Sequence, residues 1–308
     1  MAINPDSMVA SRVAATTPEM VRVSGEQASA CFSQLANTHS ITVLIPARNE
    51  ERTVGEVVSK LMDRYNPHSG PQVQIVVIDD HSTDNTSAAA AKSGAQVLTR
   101  NGPGDATGKA ETITEGIKRF PSDIYVLFDA DISNFNPDWV ELLCLPIDRD
   151  NAILAKGTYH RPVHAGLGSH ERFLEGGRVT ELVARPLLSM CFPDLARFGQ
   201  PLSGEVAFKA ELANSGPFFA GYGFDVGLLI DSYQRFGLES IVEVDLGERT
   251  HNHQELKALS YQASQVASTI LIKAGIDVAA FPGAGRLIRP SLPDKTVPFG
   301  ALGIPKST

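Results

Sequence analysis

The first half of the chain alternates short apolar runs with segments whose apolar residues recur at helical spacing. Runs of β-branched and aliphatic residues at 40–45, 72–78, 96–98 and 124–128 each predict a buried strand. Strands that alternate with helices are typical of an α/β protein with a mostly parallel sheet. We therefore expect such a sheet, with ligands bound at the carboxyl ends of its strands.

The segments between these runs carry the helix pattern. One face of the first predicted helix contains Val54, Val57, Val58 and Leu61. An alanine-rich helix follows the second strand, and a third helix is expected over 109–120.

The second half is less regular. Helices are predicted over 178–189, 224–236 and 255–274, with a strand at 241–244. From residue 281 the chain is rich in Pro and Gly with little periodicity, which predicts a tail. The residues before the first strand are polar and weakly periodic, so we expect a partly ordered leader there.

Composition and charge exclude several classes of function. The 308 residues are 43% hydrophobic and 20% charged, which is enough for a buried core. The formal net charge of -8 argues against a nucleic-acid partner, because a phosphate backbone needs a basic surface. Three widely spaced cysteines favour a reducing compartment over a disulfide framework. With neither a signal-peptide pattern nor a bilayer-spanning apolar stretch, we expect a cytoplasmic protein with no membrane partner.

Polar side chains follow the predicted strands where their carboxyl ends meet. Asn49 follows the first strand, Asp79 and Asp80 the second, and Asp129 and Asp131 the fourth. Two carboxylates two residues apart can converge on one hard cation such as Mg²⁺ or Mn²⁺, although a solvated helix-capping pair is the alternative. Asp79 and Asp80 can accept hydrogen bonds from a nucleotide base. The alternative is that these two residues only stabilise the turn.

Lys109 stands at the expected start of a helix, after a loop rich in Gly and Pro. The helix dipole disfavours a cation at this end unless an anion lies nearby, and the backbone N–H groups of a helix start bind phosphate. Lys109 is therefore a candidate to contact a phosphate or a sugar hydroxyl. A solvated lysine is the alternative.

Three motifs occur in the order and spacing of a known fold. Resemblance to the nucleotide-binding half of GT-A glycosyltransferases is carried by Pro46-Ala-Arg-Asn-Glu-Glu51, Val77-Ile-Asp-Asp-His-Ser-Thr-Asp84 and Phe128-Asp-Ala-Asp131. It implies an α/β GT-A fold with a Rossmann-like nucleotide-binding half and a smaller acceptor-binding half. On this resemblance the leader, the nucleotide-sugar-binding half, the acceptor-binding half and the tail cover 1–38, 39–160, 161–276 and 277–308.

Four further motifs narrow the family. Resemblance to the glucosyl-3-phosphoglycerate synthases, which are retaining GT-A enzymes, is carried by Gly176-Gly-Arg-Val-Thr-Glu-Leu-Val-Ala-Arg-Pro-Leu-Leu188, Gln200-Pro-Leu-Ser-Gly-Glu205, Gly221-Tyr-Gly-Phe-Asp-Val-Gly-Leu-Leu-Ile-Asp231 and Leu246-Gly-Glu-Arg-Thr-His251. The similarity extends over most of the chain. It implies transfer of glucose from UDP- or GDP-glucose to C2 of 3-phosphoglycerate, with Mg²⁺ or Mn²⁺ as cofactor and a homodimer as the assembly.

The resemblance also assigns roles to individual residues. Nucleotide-sugar contacts are expected from Pro46, Ala47, Arg48, Asn49, Glu50, Asp79, Asp80, Lys109, Asp129, Ala130, Asp131 and Arg249. The metal ligands would be Asp131 and His251, together with Asp129. The anionic acceptor would bind Gly177, Arg178, Val179, Thr180 and His253, where backbone N–H groups, a guanidinium and a hydroxyl can form an anion site. The catalytic residues would be Asp225, Lys109 and Tyr222.

Three positions depart from the family. Asp225 stands where the family has Glu, His253 where it has Asn, and Asp80 where it has Ser. The first two bear on the acceptor and the third on the nucleotide base. They support an alternative in which the same fold uses another nucleotide sugar and another small polar acceptor.

The expected mechanism and the other functional classes follow from the same residues. The resemblance implies retention with no identified nucleophile, so we expect front-face attack, in which a leaving-group phosphate oxygen takes the acceptor's proton and Asp225 orients hydroxyls. A non-catalytic nucleotide-sugar sensor would not need the polar set at 109, 129, 131 and 251. A nucleotidyltransferase would need a Gly-rich phosphate loop after the first strand, where this chain has Pro46-Ala-Arg-Asn-Glu.

Overall fold

The computed structural model describes residues 20–21, 25–65, 73–101, 108–160, 177–249, 256–287 and 295–296. Strands β1 to β10 are Met20–Val21, Ile41–Ala47, Val73–Asp79, Gln96–Thr99, Ile124–Leu127, Leu154–His160, Val206–Lys209, Ile241–Glu248, Arg286–Leu287 and Lys295–Thr296. Helices α1 to α9 are Gly25–Thr38, Val54–Arg64, Thr86–Lys92, Lys109–Arg119, Asp138–Arg149, Arg185–Cys191, Ala210–Asn214, Phe224–Phe236 and Leu256–Lys273. Short 3₁₀ turns lie at Leu195–Arg197, Gly221–Gly223, Leu238–Ser240 and Val278–Ala280, and a π-helical turn spans Thr180–Ala184.

Eight of these strands form one sheet in the order β1-β8-β6-β7-β5-β2-β3-β4. β7 is antiparallel to its neighbours β5 and β6, and the other pairs are parallel. The predicted mostly parallel α/β sheet is therefore confirmed. β9 and β10 form a separate antiparallel pair.

Helices cover both faces of the sheet. On β2, Val43 and Ile45 belong to one buried cluster and Leu44 to the other, as the two-residue period of a strand requires. The first cluster includes residues of α1, α2 and α5, and the second includes residues of α4, α6, α8 and α9. Burial on both faces explains why these strands read as continuous apolar runs in the sequence.

The first-half predictions agree with the structure, because the four apolar runs correspond to β2 to β5 and the three helix patterns to α2 to α4. The pattern does not reveal α5, β6 or β7. α5 is buried from Trp139 to Ile147 and contains Pro146, so no single face stands out. β6 contains Lys156 and Gly157 among its buried residues, and β7 has only four residues. In the part of the chain that the structure describes, no helix is long and apolar enough to cross a membrane.

The predicted leader differs from the structure in its second part, which forms α1. Ala28, Phe32 and Leu35 of this helix are buried, and the Phe32 ring lies 5.5 Å from that of Tyr65. These apolar positions recur at helical spacing but stand among small polar residues, which weakens the pattern. The boundaries of the four predicted segments stay predictions.

Candidate active site

A cavity of about 570 Å³ opens beside the carboxyl ends of β2, β3 and β5. Its wall contains the predicted donor residues Pro46, Ala47, Arg48, Glu50, Asp80, Lys109, Asp129, Ala130, Asp131 and Arg249. The same wall contains the predicted acceptor residues Gly177, Arg178, Val179 and Thr180 and the predicted catalytic residues Tyr222 and Asp225. The structure thus brings together most of the residues that the sequence singled out. His251 and His253 lie outside the described residues.

A second cavity, of about 630 Å³, lies at the opposite edge of the sheet, beside His39 and the start of β2. Among the described residues that line it there is no carboxylate, lysine or arginine. Group-transfer chemistry on a charged substrate therefore belongs to the cavity at the carboxyl ends of the strands.

Asp129 follows β5 and is held by two cations. Lys109 Nζ lies 2.9 Å from its Oδ1, and Arg249 Nη2 lies 3.1 Å from its Oδ2. Burial alone would raise the pKa of Asp129, but Lys109 and then Arg249 outweigh it and lower the pKa to about 2. Asp129 is therefore a fixed anion near neutral pH.

Lys109 joins Asp129 to a second carboxylate. Its Nζ lies 3.1 Å from both carboxylate oxygens of Asp225, in the first turn of α8. Burial opposes the charge of Lys109, but Asp129 and Asp225 raise its pKa well above the usual value, so it remains an ammonium ion. Burial raises the pKa of Asp225, while Lys109 and Lys156 oppose that rise.

The turn Gly221–Gly223 sets the direction in which α8 begins. Gly221 has φ 58°, and a Cβ there would lie 2.7 Å from the side chain of Gln265. Glycine satisfies both the left-handed backbone and the close approach. Tyr222 is held by its N–H, which donates to Gln265 Oε1 at 2.8 Å, and its side chain remains 38% exposed beside the cavity.

Three carboxylates at this end of the sheet, those of Glu50, Asp129 and Asp131, act on one another electrostatically. Burial and then Asp131 raise the pKa of Glu50 to about 7, with a hydrogen bond from Thr53 opposing. Burial and then Asp129 raise the pKa of Asp131. Carboxylate oxygens are the ligands that Mg²⁺ and Mn²⁺ prefer. The three side chains do not form a complete site by themselves, since within the described part of the chain no group of three or more His, Cys, Asp or Glu side chains is arranged to hold a metal ion.

Asp80 lies at the donor end of the cavity and is 6% exposed. Its Oδ1 is 2.5 Å from Arg100 Nε, and its Oδ2 is 3.4 Å from Arg48 Nη1. Arg100, at the end of β4, is buried and was not among the predicted site residues. The carboxylate offers hydrogen-bond acceptors and the two guanidinium groups offer donors, so this end of the cavity has more polar groups than turn capping requires.

Asn49 and Asp79 do not line the cavity. Asn49 has φ 59°; its N–H donates to Ser82 Oγ at 2.9 Å, and its Oδ1 accepts from the Thr83 N–H at 2.8 Å. Asp79 accepts from the Ser82 N–H at 2.8 Å and from the Ser87 hydroxyl. Asn49 therefore ties the loop after β2 to the loop after β3, and Asp79 holds the loop after β3 to the start of α3, so both residues support the wall. The turn-chemistry alternative describes the contacts of Asp79, and nucleotide contact by either residue stays a prediction.

The predicted acceptor residues lie at the start of a helix. Gly177, Arg178, Val179 and Thr180 line the cavity as the chain enters the π-helical turn Thr180–Ala184. Thr180 is 3% exposed and Arg178 is exposed. π-helical turns are frequent at functional sites, and an N-terminal turn with a guanidinium and a hydroxyl favours an anion.

Arg249 is fixed by a carboxylate that the sequence pattern did not identify. Glu205 has no exposed surface, and its Oε1 lies 3.0 Å from Arg249 Nε. Tyr159 accepts from Arg249 Nη1 at 3.0 Å, and its ring centroid lies 5.2 Å from the guanidinium carbon. Glu205 belongs to the Gln200–Glu205 motif. The sequence therefore identified the segment but did not indicate that Glu205 pairs with Arg249.

Gly204 packs against the centre of the site. A Cβ at this position would lie 2.6 Å from Lys109 Nζ and 2.8 Å from both carboxylate oxygens of Asp129. Real Cβ atoms essentially never lie this close to another heavy atom, so any side chain would displace the ion pair. The glycine of the motif is therefore required by the site rather than by its own backbone.

The comparisons with known proteins agree with this geometry. The family model "Glycosyl transferase family 2" matches residues 42–191. The glucosyl-3-phosphoglycerate synthase of Mycolicibacterium smegmatis is 39% identical over 243 residues, covering 77% of this chain and 78% of that protein. The synthase of Petrotoga mobilis is 37% identical over 241 residues, covering 75% and 72%. Among solved structures, the Mycobacterium tuberculosis synthase in complex with Mn²⁺, UDP and glucosyl-3-phosphoglycerate matches with a TM-score of 0.75 and 33% identity, covering 91% of this chain and 95% of that one. The chain therefore belongs to the glucosyl-3-phosphoglycerate synthase family and is a glycosyltransferase.

Proposed function

We propose that this protein transfers glucose from UDP- or GDP-glucose to the C2 hydroxyl of 3-phosphoglycerate with retention of anomeric configuration. The observation that carries the proposal is the polar chain Asp129–Lys109–Asp225, which lines one cavity together with the predicted nucleotide-sugar residues and the helix start at 177–180. The Mycobacterium tuberculosis synthase has been solved with Mn²⁺, UDP-glucose and phosphoglyceric acid, which supports this pair of substrates.

On the donor side, Asp80 and Arg48 would contact the base. Asp129 and Asp131, with His251, would hold Mg²⁺ or Mn²⁺. When bound, the cation would neutralise charge on the departing nucleotide diphosphate. Arg249 would hold both aspartates in place, because its guanidinium reaches Asp129 at 3.1 Å and Asp131 at 3.4 Å.

On the acceptor side, the N–H groups near Gly177, the Arg178 guanidinium and the Thr180 hydroxyl would bind the phosphate or carboxylate of the acceptor. His253 would add a further contact. This side would orient the attacking hydroxyl toward the sugar, and such positioning accounts for a large part of catalysis in group transfer.

Asp225 would orient hydroxyl groups rather than attack the sugar. Both of its oxygens lie 3.1 Å from Lys109 Nζ, and this ion pair lowers its nucleophilicity. Front-face attack needs no carboxylate nucleophile, since a phosphate oxygen of the leaving group would accept the proton of the acceptor. Tyr222 would lie beside the reacting groups.

The test is a product assay with purified protein, Mg²⁺ or Mn²⁺, a panel of UDP- and GDP-sugars, and acceptors with and without 3-phosphoglycerate. We expect a phosphorylated glucosylglycerate to form only when a nucleotide glucose and 3-phosphoglycerate are both present, with an α-anomeric NMR signal. If a nucleotide sugar binds or slowly hydrolyses and 3-phosphoglycerate does not stimulate turnover, the proposed acceptor is wrong.

A second candidate is the same reaction with another nucleotide sugar and another small polar acceptor. Asp225 favours it, since a carboxylate one methylene shorter than glutamate leaves more room beside Tyr222. The same assay distinguishes the two if the acceptor panel includes small polyols and sugar acids. The homodimer and the cytoplasmic location are also proposals, and sedimentation of the purified protein tests the first.

A further inference from the structure

Lys156 is a lysine with no exposed surface, on β6 in the middle of the sheet. Its Nζ donates a hydrogen bond to the carbonyl oxygen of Ser203 at 2.8 Å. Four elements bring charged groups to face it, namely Asp225 of α8, Lys109 of α4, Glu205 before β7 and Glu243 of β8. A buried ammonium is unfavourable unless carboxylates and hydrogen bonds compensate for lost water, so this position needs a physical reason.

Burial lowers the pKa of Lys156 to about 8, although Asp225, Glu205 and Glu243 oppose that change. The amine therefore remains mainly charged at neutral pH while it lies inside the sheet. A methionine of nearly the same length would avoid this strain and fill the same space. Packing alone does not account for the lysine.

Glu243 lies beside Lys156 on the neighbouring strand, as its direct partner in the β6–β8 ladder. It is 3% exposed. Its Oε1 accepts from the Gly199 N–H at 2.7 Å and from the Gln200 N–H at 3.4 Å. Two neighbouring buried charges of opposite sign therefore bind the backbone of one segment, residues 199–205, which we name the floor loop.

The floor loop is held at both ends by these contacts. Glu243 binds its start, Lys156 binds the carbonyl of Ser203, and the Gly157 N–H donates to the Glu205 carbonyl at 2.8 Å. Each contact comes from β6 or β8, which pair with each other along most of their length. The position of the floor loop is therefore fixed from beneath.

The floor loop carries three residues into the active site. Leu202 lines the cavity, Gly204 has no room for a Cβ against Lys109 and Asp129, and Glu205 pairs with Arg249. A shift of the loop by a few tenths of an ångström would move the groups that hold Asp129. Misplacements of that size affect transition-state stabilisation more than substrate binding.

We propose that Lys156 is a positioning residue for glycosyl transfer, which together with Glu243 fixes the floor loop against the Lys109–Asp129 pair. Lys156 touches neither substrate and acts through Ser203 and Gly204. This inference rests on the proposed function only in that some glycosyl donor is cleaved in the cavity. It does not depend on the identity of the acceptor.

The test compares Lys156→Met with the control Lys209→Met. Lys209 is on the adjacent strand β7, and its amine bonds Asn151 away from the cavity. The assays are kcat and donor KM, UDP affinity by calorimetry with and without Mn²⁺, and thermal unfolding. Each protein is assayed for transfer to 3-phosphoglycerate and for hydrolysis of UDP-glucose without an acceptor. If the wild-type protein hydrolyses UDP-glucose but does not transfer glucose to 3-phosphoglycerate, the proposed function is contradicted. The role of Lys156 is then still tested by the hydrolysis rate of each variant relative to wild type.

For Lys156→Met we expect kcat to fall by roughly tenfold or more, with donor KM and UDP affinity within about threefold of wild type. We expect thermal stability to fall, because removing one partner from a buried set of charges leaves Glu243 and Glu205 less compensated. The kinetic assays are therefore run well below the unfolding temperature of the variant. Lys209→Met should leave all four quantities unchanged. A kcat within about twofold of wild type, or a fall in kcat matched by an equal loss of UDP affinity, overturns the proposal.

A second variant covers the case in which Lys156→Met does not fold. Glu243→Gln keeps an oxygen acceptor for the Gly199 N–H and removes the charge beside Lys156. As for Lys156→Met, we expect a lower kcat and an unchanged donor KM. A folded Glu243→Gln protein with wild-type kcat contradicts the proposed role of the pair.

Discussion

Replacing Arg249 with methionine removes the cation that pairs with Glu205, a carboxylate with no exposed surface. The Oε1 of Glu205 lies 3.0 Å from Arg249 Nε, and its Oε2 accepts from Ser203 Oγ at 2.8 Å. Breaking a buried pair by removing one partner costs about 3–5 kcal/mol, because the other charge is left uncompensated. The hydrogen bond from Ser203 and the charge of Lys156 remain, so we expect a loss near the lower end, about 3 kcal/mol.

The assay is equilibrium unfolding in urea, supported by thermal unfolding. An unfolding entropy of about 2.1 cal/mol/K per residue over 308 residues makes 3 kcal/mol equivalent to a fall in Tm of about 5 °C. The double variant Glu205→Gln/Arg249→Met no longer buries an unpaired charge. It should recover at least half of the lost stability, which would appear as a coupling free energy in the double-mutant cycle.

Arg235→Met is the matched control. Arg235 pairs with Asp231 one helical turn away at 3.6 Å, and its side chain is 37% exposed. Arg235 is partly exposed and Asp231 keeps its second partner Lys273, so the control should lose only about 0–1 kcal/mol. If Arg249→Met loses less than about 1 kcal/mol, or if the double variant is no more stable than the single one, the account of Glu205 as a buried anion held by Arg249 is refuted.

Four further predictions concern the site and its charges. Gly204→Ala should lower kcat by roughly tenfold or more while the protein stays folded, because its Cβ would lie 2.6 Å from Lys109 Nζ; steady-state kinetics and circular dichroism check this. The pKa of Lys156 is about 8 in the folded protein, compared with an ordinary value of 10.5. As the pH rises, the folded state therefore loses this proton before the unfolded state does. The free energy of unfolding should increase by about 3 kcal/mol between those two pH values. Urea unfolding of wild type and Lys156→Met across that range should show the gain only in wild type. Chelation of divalent cations should abolish transfer, Mn²⁺ should restore it, and Asp131→Asn should raise the Mn²⁺ concentration needed, as a metal titration of activity would show. Asp80→Asn should weaken UDP binding by roughly tenfold with a smaller change in kcat, because Arg100 loses its anionic partner while the reacting groups are untouched; calorimetry measures the first and kinetics the second.

The strands β2 to β5 and the polar residues that follow them are well predicted from the sequence, because the residue types there indicate which positions are buried. Strands buried on both faces read as unbroken apolar runs, and Asp129 and Asp131 stand directly after one of them. The polar residues at the carboxyl ends of parallel strands must meet at one edge of the sheet. The convergence of Asp80, Asp129 and Lys109 on one cavity follows from that rule.

The residues that sequence reasoning missed depend on contacts between distant segments. Lys156 lies on β6, and Glu205 directly precedes the neighbouring antiparallel strand β7; no local pattern reveals that pairing. A lysine within a run such as Leu154–His160 normally indicates the exposed face of a strand, yet this lysine is fully buried. Its burial depends on the Ser203 carbonyl and on carboxylates that come from other parts of the chain. Arg100 escapes notice in the same way, since its partner Asp80 is 20 residues earlier in the chain.

The single ammonium of Lys109, shared between Asp129 and Asp225, has a consequence for how the two substrates would affect each other. On the proposed function, a donor bound beside Asp129 would change the charge that Lys109 offers to Asp225. The binding free energies of donor and acceptor would then be linked, and each substrate would change the affinity of the other by the same factor. Substitutions at Asp225 would accordingly alter donor affinity as well as acceptor affinity, because both would depend on one lysine.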